Sequence, residues 1–584
     1  MKRLFFCLAV LGVILTGCSK NDDGESDKPN NNGNEQPENP NEPELPELPA
    51  LPDPDDVCSA MDDLNFMAYC YENFDVNKDG KVSVTEANAA KEIYTTSSKW
   101  VSVKGIERFP NIEILSLNGS SITELDLRYN LKLKSISGYS SLLTTVLLPN
   151  TLTSIEKSAF KECASLIEIH FPASLTSIGV NAFYGCSSLT EINFPASLTS
   201  IGGSAFRGCS SLVEIHLSDN LTSIGEYAFS GCSSLTEINF PASLTLIGGS
   251  AFRGCSSLVE IHLSDNLTSI GEYAFSGCSS LTEINFPASL TSIRGFAFSG
   301  CSSLVEIHLP DNLTSIGERA FWSCSSLTEI HLPASLTWIG GSAFSGCSNL
   351  TKINLPDNLT SIGKTAFSGC SSLTEIHFPA SLTSIGEYAF SGCSSLTEIN
   401  LPASLASIGG SAFSGCSSLT EINFPASLTS IGESAFSFCS NLTEIHLPAS
   451  LTSIGEGTFW SCSSLTEINL PASLASIGES AFSGCSSLTE INFPASLTSI
   501  GESAFSFCSS LTEINFPASL TSIGESAFSF CSSLTEVICY ALVPPKLNGF
   551  SNSTIENLYV PAESIQAYKD SSWAIYFKNI LPIE

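Results

Sequence analysis

Twelve residues, Asp75-Val-Asn-Lys-Asp-Gly-Lys-Val-Ser-Val-Thr-Glu86, set oxygen donors at the spacing a hard cation needs. Asp75, Asn77 and Asp79 supply side-chain oxygens at positions 1, 3 and 5 of the loop. Lys81 offers its carbonyl at position 7, Ser83 stands at 9, and Glu86 can bind through both oxygens at 12. Gly80, at position 6, permits the sharp turn such a loop makes. Val82 and the preceding Phe74 fit the apolar positions around it. The expected chemistry is coordination of one Ca2+. Only one such loop is visible, and extracellular calcium modules bind weakly, with Kd on the order of 10⁻⁴–10⁻³ M. The ion is therefore read as structural, not as a signal.

A second set of groups recurs through the chain. Glutamate occupies one position in sixteen of seventeen copies of a repeat, from Glu168 to Glu536, with Lys352 the exception. The candidate binding residues are Glu191, Glu214, Glu237, Glu260, Glu283, Glu306, Glu329, Glu375, Glu398, Glu421, Glu444 and Glu467. On strands about 4.8 Å apart, neighbouring carboxylates repel by about 0.9 kcal/mol even at the dielectric of water. Keeping such a row suggests use, although duplication also propagates it. Two residues further on stand His170, His216, His262, His308, His331, His377 and His446, with Asn in nearly every other copy. A metal or pH-sensing column is one reading. Only His308 and His331 fall in consecutive copies, so the position is read as one where Asn and His both suffice.

No enzyme constellation emerges. There is no HExxH, P-loop or GxGxxG, and no GxSxG elbow between a strand and a helix. All seven histidines belong to the repeat, which leaves none as a separate general base. The expectation is a protein that is not an enzyme.

What must position these groups is the repeat itself, close to LTSIGESAFSGCSSLTEINFPAS. A cysteine falls at every 23rd residue from Cys163 to Cys531, seventeen in all. A fixed period in this range with leucines in an LxxLxL frame predicts a leucine-rich solenoid. Each copy is too short to bury its apolar face alone, so copies must stack. The fold expected is an α/β solenoid, a right-handed superhelix with a parallel β-sheet on its concave face. In Leu189-Thr-Glu-Ile192-Asn-Phe194, Ile192 and Phe194 turn inward while Glu191 and Asn193 face out. Ala205, Phe206 and Cys209 form a short helical or turn segment on the convex side. Seventeen identically placed cysteines, an odd number with no CxxC, read as free buried thiols. Residues 201–245 repeat identically as 247–291; a binding array tolerates such variation in copy number better than a catalytic site does.

The rest of the chain divides accordingly. Residues 1–17 read as a lipoprotein signal peptide: Lys2 and Arg3, then an apolar run too short for an ordinary membrane span. Leu15-Thr16-Gly17-Cys18 matches the bacterial lipobox, so Cys18 is the expected lipidation site, and two or more acyl chains there would anchor stably. Residues 18–56 are an acidic Pro-rich linker, expected to be extended and mobile. Residues 57–99 read as helix, loop, helix. Asp62 or Asp63 caps the first helix, and the second runs from Ala87 to about Tyr94. Cys58 and Cys70 can pair only if Cys58 lies outside that first helix. Residues 100–150 carry irregular leucine-rich units, including Ile122-Thr-Glu-Leu125-Asp-Leu127-Arg-Tyr-Asn130. The array proper fills 151–538, and 539–584 read as a cap with helical segments at Ala562–Tyr568 and Trp573–Phe577.

The motif SIGxxAFxxCxxLxxIxxP resembles that of BspA-type leucine-rich repeat surface proteins, over about residues 100–584. The order of lipobox, acidic linker, EF-hand-like pair, array and Tyr-Val-Pro-Ala-Glu cap is similar to surface lipoproteins of that group. The resemblance implies a lipid-anchored, surface-exposed protein of an outer membrane that adheres to host matrix proteins or other bacterial cells. The ligand expected is a protein bound at the concave face; a glycan is the alternative, although the aromatics Tyr184, Trp322 and Trp460 look scattered. A charge of −34, from 24 basic and 58 acidic residues, argues against nucleic acid as a partner.

Overall fold

The computed structural model describes residues 45–95, 98–138, 141–550 and 555–583. The chain divides into two compact units, Met1–Leu48 and Pro49–Glu584. In the first, residues 45–48 carry neither helix nor strand. The signal peptide 1–17, Cys18 and most of the 18–56 linker lie outside the described residues. Everything below concerns the second unit.

Each 23-residue repeat makes one solenoid turn from two short strands and a turn-rich third side. In the repeat around Cys186 the first strand is Glu191–Asn193, with Ile192 buried between two exposed residues. The Leu198 N–H then donates to the Pro195 carbonyl at 3.0 Å, closing a turn where proline's missing N–H does no harm. A second strand, Ser200–Ile201, follows. Successive turns finally carry Ala205, Phe206 and Cys209 into the core, all fully buried. No helix forms on this side of the repeat; it is built from turns.

Both strand types pair in parallel with the residue 23 further on, as in Glu191↔Glu214 and Ser200↔Ser223. The first type gives an eight-stranded sheet from Glu306–His308 to Glu467–Asn469. The second builds its own sheets, nine-stranded from Ser154–Ile155 to Trp338–Ile339. This second sheet was not foreseen, because a two-residue strand is too short to show alternation. Register is fixed by the apolar columns. The phenylalanines stack along the axis, Phe183 on Phe206 at 5.0 Å and Phe321 on Phe344 at 5.5 Å, with rings within 5° of parallel. Such pairs add about 0.5–1.5 kcal/mol beyond their area.

Gly202 marks where adjacent backbones come closest: a Cβ there would lie 2.7 Å from the Gly179 carbonyl carbon. Arg294 holds the equivalent place in its repeat. Its N–H reaches the Ile270 carbonyl at 3.4 Å, against 2.8 Å from Gly202 to Ile178, as expected if the added side chain wedges neighbouring turns apart.

At the N-terminal end, helix α1 (Leu64–Phe74) begins at Asp63, whose carboxylate accepts from the amides of Asn65 and Phe66. Phe66 and Tyr69 pack on Trp100, and Phe74 on Phe109. The helix thus covers the first leucine-rich turn. Helix α2 is short, Val84–Ala89, and the expected helix to Tyr94 does not form. Glu92–Thr95 is instead strand β1, parallel to β2 (Ile114–Leu117). Ile93 and Thr95 are buried and β-branched, and pairing with β2 satisfies backbone that a longer helix would have left facing solvent. The acidic segment also joins the fold earlier than its composition suggests. Arg108 donates to the Pro49 carbonyl, and Asp56 is buried, accepting from Tyr71 and Val82.

At the other end the cap closes the core with Tyr568 and Trp573, both fully buried. Tyr568 donates to the Ala541 carbonyl and Trp573 Nε1 to that of Pro545, each at 2.8 Å. Helix α3 is Ile565–Lys569. The expected helix at 573–577 is a 3-10 turn, Ser572–Ile575, followed by strand Phe577–Pro582, which pairs parallel to Ile555–Val560.

Candidate functional site

Alternation on the first strand type places both outward columns on one face. All twelve predicted glutamates are there, exposed except for the half-buried Glu444. Adjacent carboxylates face each other in register, as Glu398↔Glu421 and Glu421↔Glu444 do. The columns are coupled, which the sequence reading missed. Asn193 Nδ2 donates to Glu191 Oε1 at 2.8 Å, and Asn423 Nδ2 to Glu421 Oε1 at 2.9 Å. Where histidine replaces asparagine the contact persists: His216 Nε2 lies 3.0 Å from Glu214 Oε1, and His377 Nε2 3.0 Å from Glu375 Oε1. Asn and His share this position because each presents an N–H to the carboxylate two residues before it. That donation orients the acid and offsets part of the repulsion along the row. Lys352 interrupts the row and reaches Glu375 at 3.6 Å.

The Asp75–Glu86 loop joins α1 to α2. Gly80 has φ +83°, the conformation the sharp turn demands. Asp75 accepts from the amides of Asp79 and Gly80, Asn77 Oδ1 from Asp79, and Asp79 Oδ1 from Lys81. Glu86 folds back over the loop and accepts from the amides of Val76 and Asn77 at 2.9 and 3.2 Å. Its other oxygen accepts from Ser83 in a capping box that starts α2. These donations, led by the Ser83 amide, hold the Glu86 carboxyl below its usual range. The side chain of Lys81 turns away to Asp53 at 2.9 Å. Val82 is buried; its N–H donates to Asp56 Oδ1 and its carbonyl accepts from Val57. The segment before α1 thus takes the backbone bonds that a partner loop would otherwise supply. An all-oxygen donor set on a loop with its glycine in place fits a hard cation.

Tyr184, Trp322 and Trp460 stay apart along the array, as the sequence suggests, but each gains local partners. An open groove of about 750 Å³ is lined by Arg253, Tyr273, Phe296, Arg319, Trp322 and Lys364 among others. Tyr273 and Phe296 stack at 4.4 Å, with Arg253 over the first ring and Arg319 over the second. Trp460 packs on Phe438 at 4.7 Å, and Tyr184 lies between Lys161 and Arg207. Stacking brings residues of adjacent repeats together, so groups far apart in the chain become neighbours. The groove also carries Glu318, 3.7 Å from Arg319, and Lys364 pairs with Glu387 at 2.6 Å. That leaves Arg253, over Tyr273, as the cation facing a ring without an ion pair to an acid among the described residues.

The family of BspA type leucine rich repeat regions matches residues 132–259, 246–374, 360–474 and 452–574. A leucine-rich repeat protein from Bacteroides ovatus is similar at 36% identity and TM-score 0.54, over 62% of this chain and 88% of that one. A leucine rich cell surface protein from Faecalibacterium prausnitzii shares 27% identity over the same fractions, with TM-score 0.36. No curated protein matches. Among the described residues, no helix is long and apolar enough to cross a membrane.

Proposed function

Because the chain belongs to the BspA-type leucine-rich repeat family, we propose that it is a cell-surface lipoprotein, anchored through Cys18, that works as a non-catalytic protein-binding scaffold. The observation that carries this reading is the ladder: outward carboxylates in register, each oriented by the Asn or His two residues on. Oriented acceptors lose little freedom on docking. Seventeen stacked turns at about 4.8 Å span roughly 80 Å, long enough for an extended basic surface of a matrix protein or another cell. Many equivalent weak contacts then add through effective concentration. Calcium at Asp75–Glu86 would brace the end of this scaffold.

The test replaces Glu398, Glu421, Glu444 and Glu467 together with Gln. Glutamine keeps the oxygen that Asn400, Asn423, His446 and Asn469 contact, so only charge is removed. Thermal stability stays level or rises. Binding to a captured basic protein falls, and its dependence on salt flattens, since exposed charges are screened within about 8 Å at 0.15 M. Unaltered binding sinks the acidic-strip reading.

A second reading rests on the groove. Stacked Tyr273 and Phe296 beside Arg253, Arg319 and Lys364 suit an acidic glycan, with sugar faces on the rings and carboxylates or sulfates on the cations. Trp322→Ala together with Arg319→Ala should abolish retention on an acidic-glycan array while leaving protein capture intact. Retention unchanged in that variant rejects this reading.

A further inference from the structure

We propose that Glu306, His308 and His331 form a binding site for a transition-metal ion of the Zn2+ class on the exposed ladder. The inference concerns the same face as the scaffold reading but does not depend on any protein partner. Strands Glu306–His308 and Glu329–His331 pair in parallel, with Glu306 opposite Glu329 and His308 opposite His331. The two imidazoles stand side by side, centroids 5.5 Å apart and planes 27° apart. One ligand atom from each of Glu306, His308 and His331 lies within 4.8 Å of the others, and among the described residues no other three His, Cys, Asp or Glu side chains meet that condition.

The geometry is close to what zinc requires. Four-coordinate zinc holds N and O ligands at about 2.0–2.2 Å, so ligand atoms sit about 3.4 Å apart. Closing from 4.8 Å asks only for rotation of side chains that are half or more exposed; no buried group has to move. Two imidazoles and one carboxylate select Zn2+, Cu2+ or Ni2+ over Ca2+ and Mg2+, which take oxygen ligands. Three protein ligands leave one position open to water or to a group from outside. With His331 binding the metal through Nδ1, Glu329 Oε1, 3.4 Å from its Nε2, steadies the ring by accepting from the other nitrogen. A bound cation also relieves the repulsion between Glu306 and Glu329.

The rest of the ladder supplies the control. His216, His262, His377 and His446 each face an asparagine on a paired strand, Asn193, Asn239, Asn354 and Asn423. Each therefore offers one imidazole where this place offers two. His331→Asn installs the residue that most repeats carry, so the fold should be kept.

The experiment titrates the purified full-length chain with Zn2+ against a chromophoric chelator, with thermal melts to confirm folding. Wild type should bind one equivalent that His331→Asn weakens by about tenfold or more, the range seen when zinc-site partners are removed; Glu306→Gln should fall between. Asn239→His places a second imidazole beside His262, with Glu237 and Glu260 flanking, and should add one equivalent. Equal affinity and stoichiometry in wild type and His331→Asn overturns the site. So does an Asn239→His variant that melts like wild type and gains no zinc.

Discussion

The thiol of Cys209 donates to the carbonyl oxygen of Phe183 at 3.3 Å. The same bond recurs one repeat further on each time, from Cys347 to Phe321 and from Cys531 to Phe505. Each cysteine thus serves as a small apolar filler whose weak donor occupies a backbone carbonyl of the preceding turn. All described cysteines are free and buried. Burial pushes the thiols of Cys209, Cys255, Cys301 and Cys347 up to about 12. A raised native value stabilises fully below the unfolded value of about 8.5 and is lost as pH rises through 12, by up to about 1.4 kcal/mol per pH unit for each thiol. Melting temperature should therefore hold to about pH 8 and fall steeply toward pH 11. Changing those four cysteines to Ala should lower stability at neutral pH and make the alkaline fall shallower. Identical slopes in both proteins would contradict this account. Alkylation of the denatured, unreduced chain should also modify the whole column.

Asp63 ties α1 to the first leucine-rich turn. Burial alone would raise its carboxyl, but donations from the amides of Val101, Phe66, Ser102 and Asn65 outweigh it and hold it below the usual range. Asp63→Ala should cost about 1–2 kcal/mol as a lost helix cap, and more for the stranded amides. Asp62→Ala, at an exposed position, should cost little. A depressed carboxyl stabilises above its unfolded value, about 3.9, and the benefit fades as pH falls through the native value. The gap between wild type and Asp63→Ala, read by urea titration, should therefore narrow below about pH 4.

Calcium should bind at Asp75–Glu86 with one equivalent and raise the melting temperature of the N-terminal end. Asp75→Ala combined with Glu86→Ala removes the donors at the first and last loop positions. Calorimetric heats of calcium binding should vanish in that variant. Unchanged heats would place the ion elsewhere.

Cys18 should carry the lipid. Metabolic labelling with a palmitate analogue should tag the wild-type chain and leave Cys18→Ala unlabelled, with that variant released from the membrane fraction. Equal labelling of the two would refute the anchor.

The sequence by itself determined what depends on period. A 23-residue repeat sends each residue to the side of its counterpart in the next copy, so the Phe and Cys columns, the outward glutamates and the need for caps were legible before any coordinate. The turn at Gly80 was legible too, because its cause is local. Only the tertiary structure decided what depends on contacts that no period encodes. Glu92–Thr95 became a strand because β2 stood ready to pair with it. Val82 found its hydrogen-bond partners in Val57 and in the side chain of Asp56, a residue whose composition read as linker. Asn193 and His216 turned out to be equivalent because both point an N–H at the glutamate two residues before them, a direction that side-chain geometry sets. The period already set Phe296 beside Tyr273 and His331 beside His308; the structure added how closely their rings approach, 4.4 and 5.5 Å between centroids. There a few irregular residues, each unremarkable in its own repeat, combine into the places where this otherwise uniform surface differs from itself.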